Sequence, residues 1–296
     1  MTPRLSIRKK EAFKRSRLLQ LTAGTITMSN QTENNPSQTL LKLVNQLVFL
    51  HPEFAKYIED IAQKAQGKGY GAATIHQEND LVHKLLEREP LIAIDIGGNI
   101  GEYSAELRRR NKNLEIHIFE PSKINVHKLN SRFAHDKLIK VVSLGVSDEN
   151  GVATLFSDSP GSSLASLSNR KLEHFNIQFN VTEEISTIRF EEYWRSSLNE
   201  RVLDIVKLDV EGHELAALKG FGDAIFSTRV IQFEFGGCNI DTRTYFQNFW
   251  YFFRERNFDI YRITPFGVEE IKAYRESDEH FSITNYIAVN KLQLMR

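Results

Sequence analysis

From Leu91 onward, short apolar runs alternate with amphipathic stretches, and that alternation leaves few folds open to the chain. "LIAIDI", "LEIHIFE" and "LIKVVSL" read as strands, with "GEYSAELRRR" and "KINVHKLNSRFA" as the helices between them. The second half resumes with strand "LDIVKLD", helix "ELAALKGF", strand "RVIQFEF", helix "RTYFQNFWYFFRER", and strands "FDIYRI" and "NYIAVN". Strands joined by crossover helices lie parallel in one sheet, so the fold class expected is α/β. Between the halves, "VATLFS" and "EISTIRF" read as shorter strands around a polar loop, "DSPGSSLASLSNR".

Ahead of this domain, Leu40, Leu41, Leu43, Val44, Leu47, Val48 and Phe54 recur at helical spacing, interrupted near His51 and Pro52. One or two helices are expected there. "GKGYGAA" reads as a flexible loop, and "NDLVHKLLE" as a helix leading to Pro90. The expected layout is a disordered basic and polar tail over 1–37, a helical extension over 38–89 and the main domain over 90–296.

Composition mainly excludes. With 38 basic and 38 acidic side chains the formal net charge is zero, so no global field draws the chain to nucleic acid. The first 17 residues hold seven Lys or Arg and one acid, Glu11, which fits a solvated tail. The apolar core of a secretory signal is missing there, because "LLQLTAGTITM" is broken by Gln, Thr and Gly, while Met28 would serve as a translation start. One cysteine, Cys238, allows no intramolecular disulfide, and no apolar run reaches the length of a membrane span. A reducing, cytoplasmic compartment is expected. Nothing in the sequence speaks to oligomeric state.

Three blocks carry the chemistry. In an open parallel sheet, ligands bind at the carboxyl ends of the strands. Asp95 closes the first strand and is followed by Gly97, Gly98, Asn99 and Gly101, close to a dinucleotide fingerprint without its regular spacing. Glycines permit the tight turn and a close ligand, although a plain strand-to-helix turn would use them as well. Glu120 ends the next strand about twenty residues on, where a carboxylate can accept both hydroxyls of a ribose. "KLDVEGHEL" then gathers Asp209, Glu211 and Glu214 around a helix start; capping explains one or two of them, but less readily Asp209 at the strand's end.

Taken together, "DIGGNIGEYS", "FEP" and "KLDVEGHELAALKG" resemble the three hallmark blocks of the FkbM family of S-adenosylmethionine-dependent methyltransferases, in the same order and at similar separations. The resemblance runs from about Glu78 to Asn290 and includes "PGSSLASLSNR" and "FEFGGCNID". Gly98 departs from it, since the family often has Ala there. The resemblance implies a Rossmann-like class I methyltransferase fold: a largely parallel seven-stranded sheet with an antiparallel last strand, plus the N-terminal helical extension. It further implies that Asp95, Gly97, Gly98, Asn99, Gly101 and Ser104 hold the amino-acid end of S-adenosyl-L-methionine. Glu120 with Pro121 would hold its ribose, and Val146 with Ser147 would lie near its adenine. Asp209, Glu211 and His213 would line the methyl-transfer cleft, with a hydroxyl of a saccharide or other secondary metabolite as acceptor.

The chemistry agrees with this reading. A sulfonium methyl is already activated, so the protein must align an oxygen behind it and take away a proton. His213 and Asp209 are the candidate bases, although His213 also suits an ordinary first helical turn. Asp209, Glu211 and Glu234 offer oxygens to a hard cation, but three acids near one cleft do not assert a metal, and none is assigned. Asn239, Asp241 and Arg243 follow a strand end and are within reach of an acceptor. Phe246, Phe249, Trp250 and Phe253 fit a core face, and Cys238 has no activating partner. Ser162 and Ser163 lie on a loop that would cover the cleft. Two alternatives share these features: an NAD-dependent oxidoreductase, and a non-catalytic cofactor-fold subunit of a glycan-assembly complex.

Overall fold

The computed structural model describes residues 36–70 and 74–294. Residues 1–35 of the tail expected over 1–37, with the translation start at Met28, and Gly71 to Ala73 of the glycine-rich loop lie outside the described residues, and 36–37 begin a helix instead. The chain divides between Tyr57 and Ile58 into two units. In the first, helix α1 spans Pro36–Leu50 and helix α2, Phe54–Ala65, begins; the His51 ring meets the Phe54 ring edge-on at 5.8 Å.

The second unit opens with the remainder of α2 and with α3, Ile75–Leu86, before the alternating pattern begins. Strand β1 (Ile92–Ile96) leads to α4 (Glu102–Arg110), β2 (Glu115–Phe119), α5 (Lys123–Arg132) and β3 (Ile139–Val142). After the short β4 (Gly145–Val146) come β5 (Gly151–Ser157), β6 (Val181–Ile188) and α6 (Phe190–Leu198). Then β7 (Leu203–Leu208), α7 (Glu214–Gly220), β8 (Thr228–Phe235), α8 (Cys238–Thr242) and α9 (Phe246–Arg254) follow. The last strands are β9 (Phe258–Thr264), β10 (Gly267–Glu270) and β11 (Thr284–Asn290).

The main sheet has the order β10-β9-β11-β8-β7-β1-β2-β3. From β3 to β8 its neighbours pair in parallel, and β11 inserts antiparallel between β8 and β9. The sheet therefore has eight strands where seven were expected: the "ITPFGVEE" turn returns β10 along β9 as a hairpin. A second, three-stranded sheet, β4-β6-β5, stands apart from it. Sequence reading also ran "EISTIRF" on as one strand. The strand stops at Ile188, and Phe190, Tyr193, Trp194 and Leu198 turn inward from α6 at helical spacing.

Period-2 alternation sends successive strand residues to opposite faces, and each face builds a core. Ile94, Ile96, Val206, Leu208, Phe233 and Phe235 pack against α6, α7 and α9. Within that layer Phe233 lies between Phe249 and Tyr286, with ring centroids 5.1 and 5.4 Å away, so the aromatic helix is a core face. On the other side Ala93, Ile116, Ile205, Val230 and Ile287 pack against Val82 and Leu86 of α3 and against Leu107 of α4. Towards the carboxyl ends this second face changes character, because Asp95, Lys207, Gln232, Glu234 and Asn285 replace the apolar residues.

Candidate active site

Three turns at the carboxyl ends of β1, β2 and β7 build the site. After Asp95 the chain turns through Gly97 (φ 81°), Asn99 (φ 48°) and Gly101 (φ 83°) into α4. The Gly97 and Gly98 amides both donate to the Phe119 carbonyl, at 2.9 and 3.1 Å, which ties the loop to the end of β2. A Cβ on Gly97 would lie 1.8 Å from the Asp209 carbonyl oxygen, so only glycine lets this loop pass the β7 turn. Asp95 is buried and accepts from Ser104 Oγ at 2.6 Å, and burial pushes its carboxyl up to about 6.

Glu120 ends β2 inside the same turn. Its two oxygens accept from the backbone amides of Asn99 (2.8 Å) and Ser122 (2.9 Å), while burial pushes the carboxyl up to about 7. A carboxylate has about four acceptor directions, so lone pairs remain after these two bonds.

The β7 turn is held by Glu214. Its buried carboxyl accepts from the Val210 amide at 3.0 Å and the Gly212 amide at 3.1 and 3.2 Å, which accounts for one acid of the block as a capping residue. Asp209 accepts from Lys207 Nζ at 3.0 Å. Burial alone would lower the Lys207 ammonium, but Asp209, Glu78 and Glu234 outweigh it and raise it. Glu211 sits at φ 51° and takes Arg170 Nη1 at 2.6 Å; burial, then Asp209, push its carboxyl up to about 8 against the pull of Arg170. His213 Nε2 lies 3.0 Å from Ser168 Oγ, and burial lowers its pKa.

Two adjoining cavities result. One, of about 630 Å³, is lined by Glu120, Pro121 and Val146, by the apolar side chains of Phe119, Leu144, Leu155 and Ile185, and by Glu211 and His213. The other, of about 910 Å³, holds Asp95 and Gly98 together with Glu78, Lys207, Glu234 and Asn285. Gly97, Asn99, Ser163 and Asp209 line both. Ser162 and Ser163 thus stand over the cleft, on a segment fastened by Ser166 Oγ to the Glu211 carbonyl (2.8 Å) and by Arg170.

Of the cofactor residues that the resemblance implies, Gly101, Ser104 and Ser147 line neither cavity, and neither do Glu214, Cys238, Asn239, Asp241 and Arg243. Gly101 packs against Leu129 and Phe133, Ser104 holds Asp95, and the Ser147 amide donates to the Ile188 carbonyl. Asp241 turns to Arg170 Nε at 3.2 Å, and Asn239 Oδ1 accepts from the Gly236 amide. Cys238 is buried, with its thiol pushed up by burial. Glu78, Arg170, Lys207 and Asn285 escaped sequence reading altogether. A lysine inside the apolar run "LDIVKLD" was the one visible signal, since a buried charge in a central strand demands a partner.

The first cavity joins an apolar wall of Leu144, Val146 and Leu155 to the carboxyl groups of Glu120, Asp209 and Glu211. Residues 95–260 match the family model described as the methyltransferase FkbM domain. The chain belongs to that family. Comparison with curated proteins gives no match. Among solved structures, this FkbM chain is similar to a precorrin-6y C5,15-methyltransferase from Geobacter metallireducens GS-15, at 10% identity over 72% of this chain and 88% of that chain, with a TM-score of 0.38. It is similar also to an rRNA methylase from Streptococcus thermophilus, at 11% identity over 73% of this chain and 95% of that chain, with a TM-score of 0.40. A third is the plantazolicin methyltransferase BamL in complex with a triazolic desmethylPZN analog and SAH, at 12% identity over 83% of this chain and 94% of that chain, with a TM-score of 0.42. Likenesses at that distance speak to neither substrate nor mechanism. The sheet is that of the Rossmann-like class I methyltransferase fold, and membership of the family implies S-adenosylmethionine as methyl donor. No described helix is long and apolar enough to cross a membrane.

Proposed function

We propose that this FkbM domain transfers a methyl group from S-adenosylmethionine to a hydroxyl oxygen, on a saccharide or other secondary metabolite. The observation that carries the reading is the meeting of the two cavities along Gly97, Asn99, Ser163 and Asp209. A donor occupying the first cavity with its nucleoside would bring its reactive end to that shared wall, with the second cavity left for an acceptor.

In this reading Glu120 and Pro121 hold the ribose, and Val146 with its apolar neighbours holds the adenine. Asp95, Gly97, Gly98 and Asn99 face the amino-acid end, with Gly101, Ser104 and Ser147 supporting these turns from behind. Asp209, Glu211 and His213 line the transfer cleft. The donor supplies an activated methyl on a cationic sulfur. What the chain supplies is alignment, worth about 7 to 11 kcal/mol when reacting atoms are held in near-attack geometry, in a cleft lined on one side by the segment carrying Ser162 and Ser163.

Calorimetry with S-adenosylhomocysteine tests the donor site. The wild type should bind, and Glu120→Ala should weaken binding at least about tenfold, the worth of one charge-assisted hydrogen bond of about 1.5 kcal/mol or more. No binding to a folded wild type overturns the reading, and unchanged affinity in the variant overturns the ribose assignment. Labelled S-adenosylmethionine with a panel of sugars then identifies the acceptor by the mass of its product.

A further inference from the structure

The second cavity has a wall that the donor does not explain. Glu234 on β8 and Asn285 on β11 are register partners across an antiparallel pair, so their side chains stand side by side on one face. Gln232, two residues before Glu234, shares that face and bridges Tyr103 Oη (2.8 Å) to Glu78 Oε2 (2.5 Å). Asn285 Nδ2 donates to Glu78 Oε1 at 3.2 Å. Tyr103, Gln232, Glu78 and Asn285 thus form one fixed chain of hydrogen bonds.

What this chain leaves over is acceptor capacity. Asn285, 3% exposed, has its Oδ1 buried with no partner among the described residues. The Glu234 carboxylate accepts no hydrogen bond among them either, and Lys207, the single cation on the described wall, is committed to Asp209. Buried acceptors are nearly always satisfied, so Asn285 Oδ1 calls for a donor from a ligand, while the half-buried Glu234 turns its open oxygens to the same cavity. Two acceptors side by side call for two donors on neighbouring atoms.

We propose that Glu234 and Asn285 form the acceptor subsite, gripping two neighbouring hydroxyls of a polyhydroxylated acceptor, and that Glu234 receives the proton of the hydroxyl that is methylated. This rests on the hydroxyl-transfer reading above. The proton passes to a Glu234 oxygen as its former O–H electron pair closes the new O–C bond, and the donor's sulfur keeps the pair of the broken S–C bond. Each other candidate base is already engaged: Asp209 by Lys207, Glu211 by Arg170, and His213 by Ser168 at the first cavity. Around Glu234 stand Lys207 and Asp209 of the β7 segment, Glu211 and Glu214 of the turn behind it, and Asp95 and Glu78 across the cavity. Burial, reinforced by Asp209, holds the Glu234 carboxyl well above the usual carboxylate range, so its ionised form is a stronger base than an ordinary glutamate, and the transfer it assists speeds up as pH rises and that form fills.

The test uses the full chain saturated with S-adenosylhomocysteine and saturation-transfer NMR with methyl α-glucopyranoside, methyl α-mannopyranoside, methyl α-galactopyranoside and glucosamine. At least one methyl glycoside should bind the wild type. Asn285→Leu should weaken it about tenfold or more, whereas Glu234→Gln, which keeps an acceptor oxygen, should hold glycoside affinity within about threefold yet cut its methylation rate by roughly 10² to 10⁴. Both variants should keep the wild-type affinity for S-adenosylhomocysteine. Loss of that affinity in either variant overturns the proposal, because the residues then serve the donor. So does glycoside binding indifferent to Asn285→Leu, or binding of glucosamine alone. Should Asn285→Leu not fold, the affinity-against-rate split in Glu234→Gln decides. A wild type that binds S-adenosylhomocysteine but no glycoside removes the polyol subsite and leaves the donor reading standing; one that binds neither removes both.

Discussion

Glu120 shows how a buried carboxyl ties stability to pH. Its carboxyl titrates near 7 in the folded chain against an ordinary 4.5, because burial disfavours the charge more than two backbone amides favour it. Between pH 4.5 and 7 the folded state therefore holds more protons than the unfolded state, and stability falls as pH rises through that window. A shift of this size corresponds to about 3 kcal/mol as an upper bound. Replacing Glu120 with Gln removes the titration and sets an NH₂ against one backbone N–H, a fixed loss at every pH. Urea unfolding of both proteins should show the wild type losing up to about 3 kcal/mol relative to Glu120→Gln between pH 4.5 and 7.5. Parallel stability curves would mean that burial does not perturb this group. Glu120 was readable from sequence because its signal is local: a carboxylate ending an apolar strand, followed by Pro121. Glu234 was legible only as a third acid near the cleft, and its pairing with Asn285 was not legible at all, since 51 positions separate them and only the antiparallel register of β8 and β11 brings them together.

At the level of elements, the segment between β5 and β6 has no strand or α-helix of its own yet lines the cleft with Ser162 and Ser163. Arg170 fastens it, 8% exposed and held between Glu211 and Asp241. Truncating it to Ala strands two half-buried carboxylates, and breaking such a cluster costs about 3 kcal/mol, the low end for buried pairs because both acids keep some solvent. Arg170→Ala should lower the melting temperature and speed chymotryptic cleavage within 158–180 about tenfold or more, an opening cost of 1.4 kcal/mol being worth a factor of ten. Arg170→Lys, able to reach one acid, should fall between. Cleavage at the wild-type rate would show that the serine contacts hold the segment without Arg170. The sequence announced the segment's polarity but not its anchor, because nothing in "LSNRKLEHF" distinguishes a buried arginine from a solvated one. The strands around it were legible by alternation. Helix α6 was hidden because Phe190 continues the apolar pattern of β6 by one more step before the period changes from two to 3.6.

For the whole molecule, the question is where the methyltransferase unit begins. We propose that the helical extension over 38–89 contains two different things. The compact units part at Tyr57, whereas α3 fills the core against β1, β7 and β8 with Leu81, Val82 and Leu86 and brings Glu78 to the second cavity. Uncovering three such side chains costs roughly 1.5 to 3 kcal/mol each, a sum comparable to the entire stability of a typical domain. A chain starting at Phe54, which keeps α2 whole, should therefore melt within a few degrees of the full chain and bind S-adenosylhomocysteine equally well. A chain starting at Pro90 should lose cooperative unfolding and donor binding together, since the cavity wall that Glu78 shares with Asp95 and Lys207 goes with the helix that has been removed. Differential scanning calorimetry with the ligand added separates the two. If the Pro90 chain unfolds cooperatively and binds the ligand, the sheet stands without α3, and Glu78 becomes an addition to the acceptor side rather than part of the fold that holds the donor.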